Sequence, residues 1–114
     1  MTKREAVRKT ARIMAYLGYS REAKQIPLSR VAVACHMTQA MVSHYENGDA
    51  FPSLGFFLQY ADALGMDPKE CFDIPRSDLL KIKDKARMIE EMYDVTVFGS
   101  EKANDKAKGQ MRLF

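Results

Sequence analysis

The sequence predicts an all-α fold, and three observations carry that prediction. Apolar residues recur at steps of three and four along two long segments, near residues 7–17 and 79–93, the spacing that lines one face of a helix. Between them, shorter segments are bounded by helix start signals (Thr38, Ser53, Asp67) and stop signals (Asn47-Gly48, Gly65). The β-prone run Val95-Thr96-Val97-Phe98 is short. A chain of 114 residues fits one domain with a short appendage, and is long enough to bury a core without disulfide or metal.

Residues 2–25 read as the first helix. They lack Pro, and Val7, Ala11, Met14 and Leu17 form one stripe, while Gly18 weakens the helix by about 1 kcal/mol against Ala or marks a break. Arg4, Arg8 and Arg12 share another face, which reads equally as solvated basic surface or as a row of phosphate contacts. Pro27 interrupts, and a second helix runs from about Leu28 to Cys35. A brief connection at His36-Met37 leads to a third helix, Thr38 to Asn47. The Thr38 hydroxyl can accept from free amides of the first turn, and Gly48 can take the left-handed conformation that closes the helix. Ser53 caps a fourth helix whose core stripe is expected at Leu54, Phe57, Leu58, Ala61 and Leu64. Asp67-Pro68-Lys69-Glu70 is close to a capping box and opens a short fifth helix. A sixth starts at Ser77, after Ile74-Pro75, and runs to about Tyr93. Its residues Leu79, Ile82, Ala86, Ile89 and Tyr93 make an a/d seam over two heptads. The polar, Lys-rich remainder from Gly99 to Phe114 is expected to be a mobile tail. Three parts follow: 1–75, 76–98 and 99–114.

Composition narrows the class. Hydrophobic residues at 46% and charged residues at 29% describe a soluble globular protein. No apolar run approaches the roughly 18 residues of a membrane span. The basic start at Lys3-Arg4 has no apolar stretch behind it, as a signal peptide would, so the expected location is cytoplasmic. Cys35 and Cys71 stand apart in apolar contexts with no metal-ligand spacing, and read as buried free thiols. His36 and His44 have no acid or Cys arrangement around them, and no Gly-rich phosphate loop is present. No enzymatic activity, metal or cofactor is expected. The net charge of +3 is uneven: residues 1–30 hold eight Lys/Arg against two Glu, and residues 31–75 one Lys against six acids. Basic ends around an acidic middle suit a protein that grips a polyanion with part of its surface.

The segment 28–48 holds the informative pattern. Ala32 lies ten residues before Val42, so two helices can meet closely at a small side chain. Thr38, Val42 and Tyr45 fall at i, i+4, i+7 and are expected to point inward. Gln39, Ala40, Ser43, His44 and Asn47 are left on the opposite face, a short, polar, acid-free set suited to base edges in a major groove. By itself that face would read as ordinary solvated helix.

The wider pattern adds weight. Arg21-Glu22-Ala23-Lys24, Val31-Ala32, Thr38-Gln39-Ala40-Met41-Val42-Ser43-His44-Tyr45-Glu46-Asn47-Gly48, Pro52-Ser53-Leu54 and Ala61-Asp62-Ala63-Leu64-Gly65 follow in that order. This series resembles the phage-repressor/Cro (Xre-like) helix-turn-helix family over about residues 13–73. The resemblance implies a five-helix lambda-repressor-like domain, to which the sixth helix is an addition. It implies a dimer on a palindromic operator in double-stranded DNA. It also implies roles: Gln39, Ala40, Ser43 and His44 match base-facing positions, and Thr38 and Asn47 match positions that touch phosphate. Arg21 and Glu46 match a pair linking the first helix to the end of the third. Three positions depart from the pattern. His36 stands where Gly is usual and must accept an unusual backbone. Pro27-Leu28 replaces Ser-Gln, removing a side-chain cap and a phosphate contact. Asp49 is acidic in a loop that is often basic, so affinity would lean on the N-terminal Arg/Lys set.

The expected function is therefore a sequence-specific DNA-binding transcriptional regulator, a repressor, reading the major groove with helix 38–47. The seam of the sixth helix can fold back on the domain or pair with a second copy; a homodimer through it is the favoured expectation, with Val95 to Phe98 as a further contact. The alternative is an antitoxin-like or peptide-sensing regulator whose main partner is another protein. No aromatic-rich sheet motif points to RNA.

Overall fold

The structure is a computed structural model and describes residues 1–97. It contains α1 (Lys3–Ala23), α2 (Leu28–Ala34), α3 (Gln39–Glu46), α4 (Leu54–Ala63) and α5 (Arg76–Thr96), with one 3-10 turn at Pro68–Cys71. Among the described residues there is no strand. The expected tail, 99–114, and Phe98 lie outside the described residues.

Helix α1 is the spine. Thr2 accepts from the Glu5 amide, and the Glu5 carboxylate accepts from the Thr2 amide, so both ends of a capping box are made. Val7, Ala11, Met14 and Leu17 are buried as the stripe requires, and Ala15, Tyr16 and Ser20 join them. The helix passes Gly18 unbroken; no other atom lies within 4 Å of where a Cβ would stand.

Three expectations need correction. The stripe of α4 is rotated: Phe56, Phe57, Tyr60, Ala61 and Leu64 are buried, whereas Leu54 and Leu58 are exposed. The segment LGFFLQYADA is apolar nearly all round, so its own spacing does not choose a face. The choice falls to aromatic packing: Tyr45 stacks on Phe56 at 4.2 Å, and Phe56 meets Tyr60 edge-on at 5.7 Å. The expected fifth helix is the single 3-10 turn, although its Asp67–Glu70 capping box forms as predicted. Pro75 disfavours helical backbone at Ile74 and stops that turn from growing. Finally, α5 starts without a Ser77 cap. Pro75 is its N-cap, its carbonyl accepting from the amides of Asp78 and Leu79 at 3.0 and 2.9 Å. The helix also continues past Tyr93 and absorbs Val95 and Thr96.

The seam of α5 folds back onto α1. Ile82, Ile89 and Tyr93 are buried in the same core as Val7, Ala11 and Met14, and Leu79 and Ala86 pack against it half-buried. The seam that was expected to meet a second copy is occupied within the chain. Two heptads make too little helix to stand alone in water, and the long apolar flank of α1 is the nearest cover.

Candidate nucleic-acid interface

The site begins with the turn between α2 and α3. Cys35 caps α2, and His36 follows with φ of 54°, the left-handed region where Gly is usual. There the His36 amide donates to Val33 O and the Met37 amide to Ala32 O at 3.2 and 3.0 Å. That is the Schellman closure of a helix, made with His at about 1–2 kcal/mol over Gly. The departure from Gly is thus tolerated without shifting the turn. Pro27 gives α2 no side-chain cap, as expected.

Thr38 then caps α3, its hydroxyl accepting from the Met41 amide at 3.1 Å. It is exposed rather than inward, because capping holds its side chain at the helix mouth. Val42 is fully buried, Ala32 is buried near it, and Tyr45 is half-buried. Gln39, Ala40 and His44 are exposed, and Ser43 and Asn47 half-buried, so all five outward residues reach the surface of one helix. His44 Nδ1 lies 3.4 Å from Asp49 Oδ2. Asn47 donates from Nδ2 to Ser43 O at 2.9 Å and to Ser43 Oγ at 3.2 Å.

Behind that face sits a polar cluster. Arg21 on α1 donates from Nε to Glu46 Oε2 at 2.8 Å and from its terminal amine to Oε1 at 3.2 Å, a two-pronged contact between planar groups. Both side chains are 13% exposed. A second amine of Arg21 donates to Ile26 O at 3.0 Å, holding the α1–α2 connection. Tyr60, fully buried on α4, donates its hydroxyl to Glu46 Oε2, the oxygen that Arg21 Nε also meets. Burial, then the neighbouring carboxylate, pushes the Tyr60 phenol far above its ordinary value, so it remains a donor. Arg21 and Glu46 were expected from the sequence. Tyr60 was not, and the rotated stripe of α4 is the reason.

A family model described as a helix-turn-helix domain matches residues 4–71, more than half of the chain. The chain belongs to the helix-turn-helix domain family. No curated protein and no solved structure matches it. Helix-turn-helix domains are DNA-binding modules that place their second motif helix, here α3, in a major groove.

The basic residues of this helix-turn-helix domain are unevenly placed around α3. Arg4 donates to Asp94 at 2.6 Å and lies 3.9 Å from Glu90, and Arg8 lies 3.5 Å from Glu90, so these two face acids of α5. Arg12 stands beside them along clefts that border α5 and the 3-10 turn. Two lysines that sequence reasoning did not single out lie closer to the motif. Lys85 donates to Asn47 Oδ1 at 2.8 Å, and Lys81 lies 6.0 Å from the Tyr19 ring centre. Their only sequence signal was an i, i+4 pair on the edge of an amphipathic helix.

Cys35 and Cys71 are buried free thiols. Burial raises both, Cys71 to about 11, which keeps them neutral at ordinary pH. Among the described residues no cluster of His, Cys, Asp and Glu could hold a metal ion, and no helix is long and apolar enough to cross a membrane.

Proposed function

We propose that the chain is a transcriptional repressor of the phage-repressor/Cro type that reads double-stranded DNA with α3. One observation carries this: an acid-free outward face, Gln39, Ala40, Ser43, His44 and Asn47, stands on a helix locked from behind by Arg21, Glu46 and Tyr60. A reading head must be held rigidly, since hydrogen bonds to base edges tolerate little misplacement. Gln39, Ala40, Ser43 and His44 face the bases, and Thr38 and Asn47 meet phosphates. The ion pairs of Arg4 and Arg8 with α5 support the solvated reading of the Arg4-Arg8-Arg12 face over phosphate contact. Selection of bound sites from a random duplex pool tests the function. Recovery of a common, two-fold symmetric site supports it; recovery of none contradicts it.

Two-fold reading needs two copies about 34–36 Å apart, one DNA turn. With the seam of α5 buried, the contact falls to exposed apolar side chains. Leu54 and Phe72, 70% and 67% exposed, border one cleft with Ile13 and Phe57. Leu54→Asp with Phe72→Asp is expected to turn a dimer into a monomer in a solution mass measurement. A wild type that is monomeric at high concentration contradicts the homodimer. The same patch then favours the second reading, an antitoxin-like or peptide-sensing regulator with a protein partner.

A further inference from the structure

Helix α5 begins at Arg76, beyond the matched segment 4–71, so the family match gives it no role. The structure ties it to the end of α3. Lys85 holds the Asn47 carboxamide, the Thr96 hydroxyl is shared between Met92 O at 3.0 Å and Gly48 O at 3.2 Å, and Met92 and Ile89 close over Gly48. The fit leaves no room for a side chain there: a Cβ on Gly48 would stand 2.8 Å from that of Met92, and its φ is 86°.

Charge gives the arrangement its direction. Binding a duplex draws most of its affinity from lysine and arginine that replace counterions on the phosphates. Over residues 31–75, a stretch that takes in α3, α4 and the 3-10 turn, the chain is poor in such groups, with one Lys against six acids. Arg4 and Arg8 face α5 acids, and Asp49 puts a negative charge just past α3. Beside Arg21, which Glu46 and Ile26 O engage, Lys81 and Lys85 are the cations that border the α3 end. They stand one turn apart on α5, both exposed, and line a cleft of about 430 Å³ with Ser43, Asn47 and Leu28. Two carboxylates border the same cleft. Glu46 is satisfied by Arg21 and Tyr60, and Glu22 lies 3.6 Å from Arg21. The Lys85 ammonium has three donors and gives one to Asn47, so donors remain for an oxyanion beside it.

We infer that α5 completes the DNA interface, with Lys81 and Lys85 gripping a backbone phosphate at the C-terminal end of α3. The inference rests on the DNA-binding reading above. Lys85 thereby couples a phosphate to Asn47, and through Asn47 to Ser43 on the reading face.

The test uses the full chain and the duplex recovered by selection, with affinity measured between about 50 and 200 mM salt. Lys81→Gln with Lys85→Gln is expected to weaken binding to all sequences alike. The slope of log affinity against log salt is expected to flatten by about 0.9, the value for the one phosphate that the two lysines no longer neutralise. Lys81→Arg with Lys85→Arg is expected to restore the slope. An unchanged slope in a folded double glutamine variant overturns the inference and leaves the DNA-binding reading standing. Loss of affinity with an unchanged slope also overturns it, because Lys85 would then only position Asn47. A wild type that recovers no duplex overturns both.

Discussion

The two junctions that hold α1 use the same residue types to opposite ends. Beneath the recognition helix, Arg21 meets Glu46 with both side chains 13% exposed, and fully buried Tyr60 adds a third partner. Along the α1–α5 seam, Arg8 and Arg4 meet acids at the rim, themselves 53% and 46% exposed, Tyr16 donates to half-buried Asp78 at 3.3 Å, and the rest of the packing is apolar. There too a fully buried tyrosine, Tyr93, lies in the core, but its hydroxyl has no hydrogen-bond partner among the described residues. Depth separates the two cases. An ion pair in water is screened and is worth little, whereas a desolvated one fixes geometry because losing a partner strands a charge. The first junction sets the position of α3 against α1 and α4; the second attaches a helix by area and leaves its rim adjustable.

Breaking the first junction should have the largest effect. Glu46→Ala strips the Tyr60 hydroxyl of its acceptor and leaves the largely buried Arg21 guanidinium only Ile26 O and the exposed Glu22, and should cost about 3 kcal/mol in urea unfolding. A loss below about 1 kcal/mol would place the pair among ordinary surface contacts. Tyr60→Phe removes one donor while Arg21 still satisfies Glu46. A loss of about 1–3 kcal/mol is expected, together with weaker DNA binding as α3 loosens.

The second junction should respond weakly. Arg4→Ala and Arg8→Ala are each expected to cost no more than about 1 kcal/mol, with the loss shrinking as salt is raised. A salt-independent loss would show that the rim pairs behave as desolvated ones. Tyr93→Phe sharpens the contrast further. Its ring packs against Phe51 at 4.9 Å, an arrangement Phe can keep, and the substitution removes a buried hydroxyl that bonds to nothing among the described residues. Stability should hold or rise slightly, in the opposite direction to Tyr60→Phe. Equal losses at both tyrosines would erase the distinction.

The sequence made the first junction half legible. Arg21 and Glu46 stood out because a family pattern places them at that separation. Tyr60 did not, since LGFFLQYADA offers two equally apolar stripes and only the Tyr45-Phe56-Tyr60 packing selects one. The α1 stripe and the α3 cap were readable because spacing and a capping hydroxyl are local facts. Seam periodicity showed which α5 residues turn inward but said nothing of what they meet. A helix of two heptads can cover its own domain or a second one, and the flank of α1 decided it. The Lys85–Asn47 contact spans 38 positions and was beyond any local signal.

Whether the outward face of α3 reads bases is decided at Gln39. Its amide can pair with N6 and N7 of adenine. The measurement is the affinity of wild type and Gln39→Ala for the selected duplex and for each of its single base-pair variants. A loss of about 1–3 kcal/mol is expected on the preferred site, with discrimination relaxed at one base pair per half-site and kept elsewhere. Equal weakening on every duplex, or no change on any, would contradict it.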